Sequence, residues 1–489
     1  MNHSASIKYK AVILIGGLSK GTRFRPLSLD LPKPFFPVAG QPILSQHIRS
    51  LVQLGNVSEV LLMGFYDESF LAYNIKSASR EFDIPVSYLR EPEALGTAGG
   101  LYHFRERILQ GDPDHVIVMH GDICCNFPLK QIVNFHLSHG GRGKQQKKLQ
   151  QKQEKELTIV GTVVPEEKTH HYGCIVQGNT TSTTPPTTHS GKRCQDGNDD
   201  GNDDGDNGDD ETIGGPVVHY AEKPETVISN LINCGIYVMK SSLIHDFPSI
   251  RKSTSSQSSG GGGSGDDDDD CNRERSVLGS LVNPQVNTSS NDHQSKISHL
   301  SLERDVFTYL AGSGRMFVYR LQQGDFWGQI KSPRAAIESS QLYMKYFKQQ
   351  SPELLATQET VGCRVIGEVV IDSTAQIDPS AKIGPNVTIG KNVVIGPGVR
   401  ISNSIILDSV EIQENTLVSY SIIGWTSTIG KWCRIEGSPT DKTNQQHDNR
   451  ENITILGSGV TVNHELVVRN SIVLQHRELC ESVSDRILL

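Results

Sequence analysis

None of the nine cysteines in this 489-residue chain forms a CxxC pair, and the neighbours Cys124 and Cys125 cannot readily bridge to each other. That usage reads as reduced thiols in an intracellular protein. No apolar run approaches the roughly 20 residues needed to cross a bilayer. The apolar stretch near the N-terminus is short and ends in a glycine loop, unlike a signal peptide. A cytoplasmic protein with no membrane partner is expected. A nucleic-acid surface is missing as well. The formal charge is -8, but nine acids lie in Asp196–Glu211 and five in Asp266–Asp270. With those runs and the basic segment Arg142–Glu156 set aside, the remainder carries a net charge near +2. Hydrophobic residues make up only 36% of the chain, and very unevenly.

The length suits two or three domains. Three stretches lack apolar periodicity: Gly140–Glu156, Gly178–Gly215 and Arg251–Ser298. They cannot offset their ordering entropy by burial, so each is expected to be a disordered insertion. The acidic runs lack the alternating ligand spacing of a calcium loop. Between the insertions, β-branched runs at Ala11–Ile15, Val60–Met63, Val86–Leu89 and Val116–Met119 alternate with amphipathic stretches at Ile43–Leu54, Ser69–Glu81 and Leu101–Leu109. That alternation predicts an α/β domain with a mainly parallel sheet. Leu157–Val164, Val217–Glu222, Ile232–Lys240 and Met316–Leu321 read as further strands, and Pro333–Gln349 as a helix. The insertions therefore lie inside one domain, residues 8–350.

Ligands of such sheets bind beyond the carboxyl ends of strands. A loop at one such end runs Gly16-Gly17-Leu18-Ser19-Lys20-Gly21-Thr22-Arg23, with Lys33 shortly after. Glycines let backbone N–H groups approach phosphate oxygens, and Arg23 and Lys33 add full positive charge. A nucleoside diphosphate or triphosphate is the implied ligand. Asp122 closes another strand, where it serves as a metal ligand or a turn cap.

The C-terminal part, residues 361–489, carries a repeat. Ile371, Ile377, Ile383, Ile389, Ile395, Ile401 and Leu407 recur every six residues, followed at a fixed offset by Ala375, Ala381, Val387, Val393, Val399 and Ile405. Three hexads make one triangular coil with its aliphatic residues inward, so a left-handed parallel β-helix is predicted, with oligomer assembly as its usual use. The polar run Gly437–Asn452 interrupts it.

These segments together resemble the sugar-1-phosphate nucleotidyltransferases, Rossmann-like enzymes, and among them the alpha branch of the mannose-1-phosphate guanylyltransferases. The likeness rests on GTRFRPLSLDLPKP, LGTAGGLYHF at Leu95–Phe104, AEKPE at Ala221–Glu225, NCGIY at Asn233–Tyr237, QIKS at Gln329–Ser332 and the hexads. It implies a pocket for GTP and mannose 1-phosphate, or for their product GDP-mannose. In that pocket Gly16, Gly17, Gly21 and Thr22 would wrap the phosphates. Arg23 and Lys33 would neutralise the pyrophosphate. Gly96, Thr97 and Gly99 would form a second close-approach loop, and Glu91 would accept from guanine N1–H and its 2-amino group. Glu222 and Lys223 would hold sugar hydroxyls and phosphate, Asn233 and Gly173 would contact the hexose, and Asp122 would bind Mg2+.

Two departures from the active pattern set the expected function. The glycine loop is two residues longer than G-G-x-G-T-R. Gln329 stands where active relatives carry a second metal-binding aspartate, and Lys331 adds positive charge beside it. The metal site is thus expected to be weak or incomplete, and the chain to bind GDP-mannose while turning over poorly. The resemblance implies a regulatory subunit that reports product level to a catalytic beta-type partner. The 437–452 segment would either enter that partner's pocket or remain a plain surface loop. An active guanylyltransferase and an assembly scaffold with a vestigial pocket are the alternatives.

Overall fold

The computed structural model describes residues 7–17, 22–29, 31–138, 155–178, 213–257, 299–439 and 452–488. Gly21, most of the three predicted insertions and residues 440–451 of the polar loop lie outside that set.

The first domain is built on one twisted sheet. Its strands are β1 (Tyr9–Gly16), β2 (Val57–Gly64), β3 (Val86–Arg90) and β4 (His115–His120), then, after the short β5 (Ile123–Cys125), β6 (Leu157–Val163), β7 (Gly173–Gln177), β8 (Gly214–Glu222), β9 (Leu231–Lys240) and β10 (Met316–Arg320). The nine long strands lie in the order β3-β2-β1-β4-β9-β6-β10-β8-β7. From β3 to β4 every pairing is parallel, as the strand–helix alternation predicts. Beyond β4 only β6 and β10 pair parallel, and the rest are antiparallel.

Both sheet faces are covered. On one side Ala11, Ile13 and Ile15 pack with Leu44, Ile48 and Leu51 of α1 (Ile43–Leu54) and Leu71 of α2 (Glu68–Phe82). On the other, Val12 and Val118 pack with Leu101 of α3 (Thr97–His103) and with Phe307. The predicted 101–109 helix is broken at Phe104, where α3 gives way to α4 (Arg105–Ile108). Helix α5 (Leu129–Leu137), helix α6 (Leu243–Gln257) and a π-helical turn at Leu302–Phe307 complete the layers.

The insertion boundaries are narrower than the composition suggests. Lys155 is buried; its ammonium donates to the Phe135 carbonyl and Ser138 Oγ and lies over the Phe135 ring. Glu156 pairs with Arg315. Gly214 and Gly215 already belong to β8, and α6 runs on through residue 257.

After α7 (Pro333–Gln350) the chain enters a parallel β-helix of three sheets, with seven, seven and six strands. Its hexad column needs one correction. Ile383 pairs with Ile401, eighteen positions on, but Ile401 pairs with Val418 and Val418 with Ile435, each seventeen on. The lost residue falls at the corner held by Asn403 in the left-handed region (φ 46). Because strand side chains alternate faces, a one-residue slip swaps inside for outside. Ile406 therefore continues the interior column, while Ile405 and Leu407 point outward. There they meet Phe24, Phe36, Val38, Ile43 and the α7 residues Ile337 and Met344, joining the two domains in one apolar cluster. Phe36 meets Trp425 edge-on with ring centroids 6.1 Å apart. At the polar loop Ile423 pairs with Leu456, thirty-three positions on, so the loop adds sixteen residues to a seventeen-residue coil.

Candidate functional site

Strands β1 and β4 end side by side and open a cavity of about 310 Å³. Gly16, Gly17, Arg23, Lys33, Glu91, Gly96, Thr97, Asp122 and Lys331 all line it. The glycine at 17 has a steric reason: a Cβ there would overlap the Phe65 ring. Gly16 takes a positive φ of 69 as the chain leaves β1, which glycine adopts without steric cost. Thr22 starts a short 3-10 turn and is exposed, outside the cavity wall.

The second glycine loop is used differently from the expectation. The N–H groups of Ala98 and Gly99 both donate to the Leu300 carbonyl at 3.0 Å. Thr97 Oγ1 donates to Glu303 and accepts from the Leu302 N–H, both at 2.8 Å. A Cβ on Gly96 would collide with the Leu300 backbone. This loop is docked on residues 300–303, and Gly99 lies behind the cavity wall. Glu91 is 7% exposed, packed against Gly100, where any Cβ would meet its Oε1.

A second cavity of about 260 Å³ adjoins the first and shares His120 and Lys331 with it. Its wall holds Gly173, Glu222, Lys223, Asn233 and Gln329, so thirteen of the sixteen expected residues, all but Gly21, Thr22 and Gly99, converge on two neighbouring cavities. Gly173 makes room: a Cβ there would overlap the Tyr220 hydroxyl, which donates to Glu222 Oε2 at 2.9 Å. Asn233 is aimed inward by a bulge. The β9 register against β6 shifts between Asn233 and Tyr237, and Gly235 takes a φ of 75. The Asn233 amide then donates to the Tyr220 and Tyr237 hydroxyls at 3.2 and 2.9 Å and accepts from the Gly235 N–H.

Sequence reasoning missed the group that organises this second cavity. Glu303 accepts from Thr97 and Ser301 at 2.8 Å, from Tyr237 at 3.2 Å, and pairs with His120 Nε2 at 3.2 Å. Burial alone would raise the Glu303 carboxyl. The hydrogen bond and charge of His120, with the two hydroxyls, reverse this and hold it at about 2. Burial works to lower the His120 imidazole, but Glu303, then Asp122 and Glu222, raise it above its ordinary value. No local signal marks Glu303, which follows a long insertion and lies 206 positions from Thr97.

Asp122 sits where the cavities meet. Its Oδ2 accepts from Lys33 Nζ at 3.1 Å, and Gln329 Nε2 lies 3.4 Å from both carboxyl oxygens. Burial would raise this carboxyl, but the charges of Lys33 and His120 and the bonds from Lys33 and Gln329 hold it below the usual range. Gln329 reaches it on β11 (Trp327–Gln329), which pairs antiparallel with β5. Lys331 lies 4.6 Å over the Tyr172 ring and donates to the His171 carbonyl at 3.3 Å. Magnesium asks for oxygen donors in octahedral array, usually one or two carboxylates. Here the Asp122 carboxylate is already bound by an ammonium, its neighbour is a neutral amide presenting N–H, and a second lysine lines the same wall. Among the described residues no group of three His, Cys, Asp or Glu forms a ligand set. These side chains do not fit Mg2+. Among the described residues, no helix is long and apolar enough to cross a membrane.

Comparison with known proteins agrees with this architecture. Residues 10–262 match the family described as nucleotidyl transferase, and residues 365–488 match the GMPPB C-terminal domain. The chain is 40% identical to the mannose-1-phosphate guanylyltransferase regulatory subunit alpha of Dictyostelium discoideum, over 98% of each protein. It is 39% identical to regulatory subunit alpha-A of Danio rerio and 38% identical to regulatory subunit alpha of Xenopus tropicalis. Both alignments cover 98% of this chain and the whole of the relative.

Proposed function

The chain belongs to the nucleotidyl transferase family, among the regulatory alpha subunits of mannose-1-phosphate guanylyltransferase, and from that premise we propose that it binds GDP-mannose and adjusts a catalytic partner. In this reading the guanosine occupies the first cavity, with Glu91 accepting from the base edge. The mannose occupies the second, with its hydroxyls on Glu222 and Asn233. The diphosphate crosses the junction beneath Arg23, Lys33 and Lys331, with Lys223 at the far end. The partner is a beta-type catalytic subunit, met through the β-helix and its 437–452 segment.

One observation carries the regulatory reading: Lys33 and Gln329 both donate to Asp122. Synthesis from GTP and mannose 1-phosphate needs the sugar phosphate to attack the α-phosphorus in line, with the charge on the phosphates neutralised. Losing one preorganised electrostatic element in such a site costs about 3 kcal/mol, or roughly a hundredfold in rate. Binding a finished diphosphate sugar asks only for matched charge and hydrogen bonds.

Pyrophosphate release from GTP, mannose 1-phosphate and Mg2+ tests this directly. The chain alone is expected to turn over at least about a hundredfold more slowly than the mixture with its catalytic partner. GDP-mannose is expected to slow the mixture. Fast turnover by the chain alone, or a mixture indifferent to GDP-mannose, overturns the reading.

A further inference from the structure

We propose that Lys33 and Lys331 take the place of a divalent cation, so that this pocket holds a nucleoside-diphosphate sugar without Mg2+. The inference rests on the nucleotide-sugar reading above and goes beyond it, since it assigns the counter-charge of the diphosphate to the chain itself.

The first support is the state of Asp122. The carboxylate that would hold a metal is already satisfied by an ammonium at 3.1 Å and an amide at 3.4 Å. A metal ion entering there would have to displace a cation. The second is the position of Lys331. It lines both cavities, as a diphosphate joining a nucleoside in one to a hexose in the other requires. The Tyr172 ring and the His171 carbonyl hold it there, and neither neutralises it. The third is charge. Arg23, Lys33 and Lys331 line the first cavity with Asp122 and Glu91, so the charged side chains of this wall leave a net positive charge. That surplus offsets part of the two negative charges of a diphosphate diester. GTP together with a sugar phosphate carries far more negative charge and would leave most of it unpaired. The built-in charge therefore favours product over substrates.

Calorimetry of the full-length chain with GDP-mannose, once in excess Mg2+ and once in excess EDTA, tests this. The expected dissociation constants agree within about twofold. Lys331→Gln is expected to weaken binding in EDTA by at least about tenfold, and Lys331→Arg to retain it. Gln329→Asp adds a second carboxylate, so its binding is expected to fall in EDTA and recover with Mg2+. Unaltered protein that loses tenfold or more of its affinity in EDTA overturns the inference and leaves the nucleotide-sugar reading standing. No binding under either condition removes both.

Discussion

Glu303 has four side-chain partners from three separate segments of the chain: Thr97, His120, Tyr237 and the nearby Ser301. Its carboxylate is satisfied only because all four converge. Glu303→Gln leaves His120 facing an amide, and breaking a buried pair this way typically costs about 3–5 kcal/mol. Urea denaturation is expected to show that loss. The pH dependence has a definite sign. Glu303, held at about 2 against 4.5 for a free glutamate, gives stability that is present above pH 4.5 and lost as the pH falls toward 2. His120, raised above 6.5, gives stability that is full below pH 6.5 and lost as the pH climbs through its folded value. The difference between the parent and Glu303→Gln is therefore expected to peak between pH 4.5 and 6.5. A difference that stays flat from pH 3 to pH 9 would contradict this coupling.

At the scale of elements, the bulge in β9 converts a core strand into a binding wall. Asn233 is the last residue paired before the bulge, opposite Gly161. The extra residues after it and the left-handed Gly235 leave its amide on the tyrosine hydroxyls. Gly235→Ala is expected to be costly twice over, because an alanine resists φ 75 and its Cβ would lie 3.1 Å from His120 Cγ. Weakened GDP-mannose binding by calorimetry, with β9 still protected in hydrogen exchange, is the expected outcome. Elements of this kind mark the limit of what the sequence discloses. The strands with β-branched runs, the 43–54 helix and the hexad stack were legible because each repeats at its own period over many residues. Most pocket residues were legible because motifs place them at strand ends. The antiparallel half of the sheet was not, since pairing direction depends on connections hidden behind the insertions. The function of Thr97 was not either. With Gly96 and Gly99 it reads as a close-approach loop, yet its hydroxyl finds its partners in 300–303, far along the chain. The slip at Asn403 escaped because one deleted residue leaves the hexad letters intact while exchanging the faces they occupy.

Across the whole molecule, that slip joins the pocket to the β-helix. Arg23 and Lys33 line the cavity, and the nearby Phe24 and Phe36 are buried in one cluster with Ile405, Ile422, Ile453 and Ile455. Ile453 and Ile455 resume the coil directly after the sixteen-residue addition. A ligand that pulls on Arg23 and Lys33 thus acts on a packed cluster at the root of that loop. Packed interiors shift between discrete arrangements, so such a cluster can carry a coupling of about 1–3 kcal/mol. Two variants separate the parts. Deleting 438–452, which leaves an eighteen-residue coil like that from Ile383 to Ile401, is expected to leave the melting temperature and GDP-mannose binding of the chain unchanged. It is also expected to abolish the effect of GDP-mannose on the catalytic partner. Phe36→Ala removes a buried ring and is expected to cost about 3–5 kcal/mol of stability. At temperatures where it stays folded, the loop and the pocket both remain, yet the response of the partner should fall. If the loopless chain still transmits GDP-mannose inhibition in full, the signal passes through some other surface and this cluster only holds the domains together.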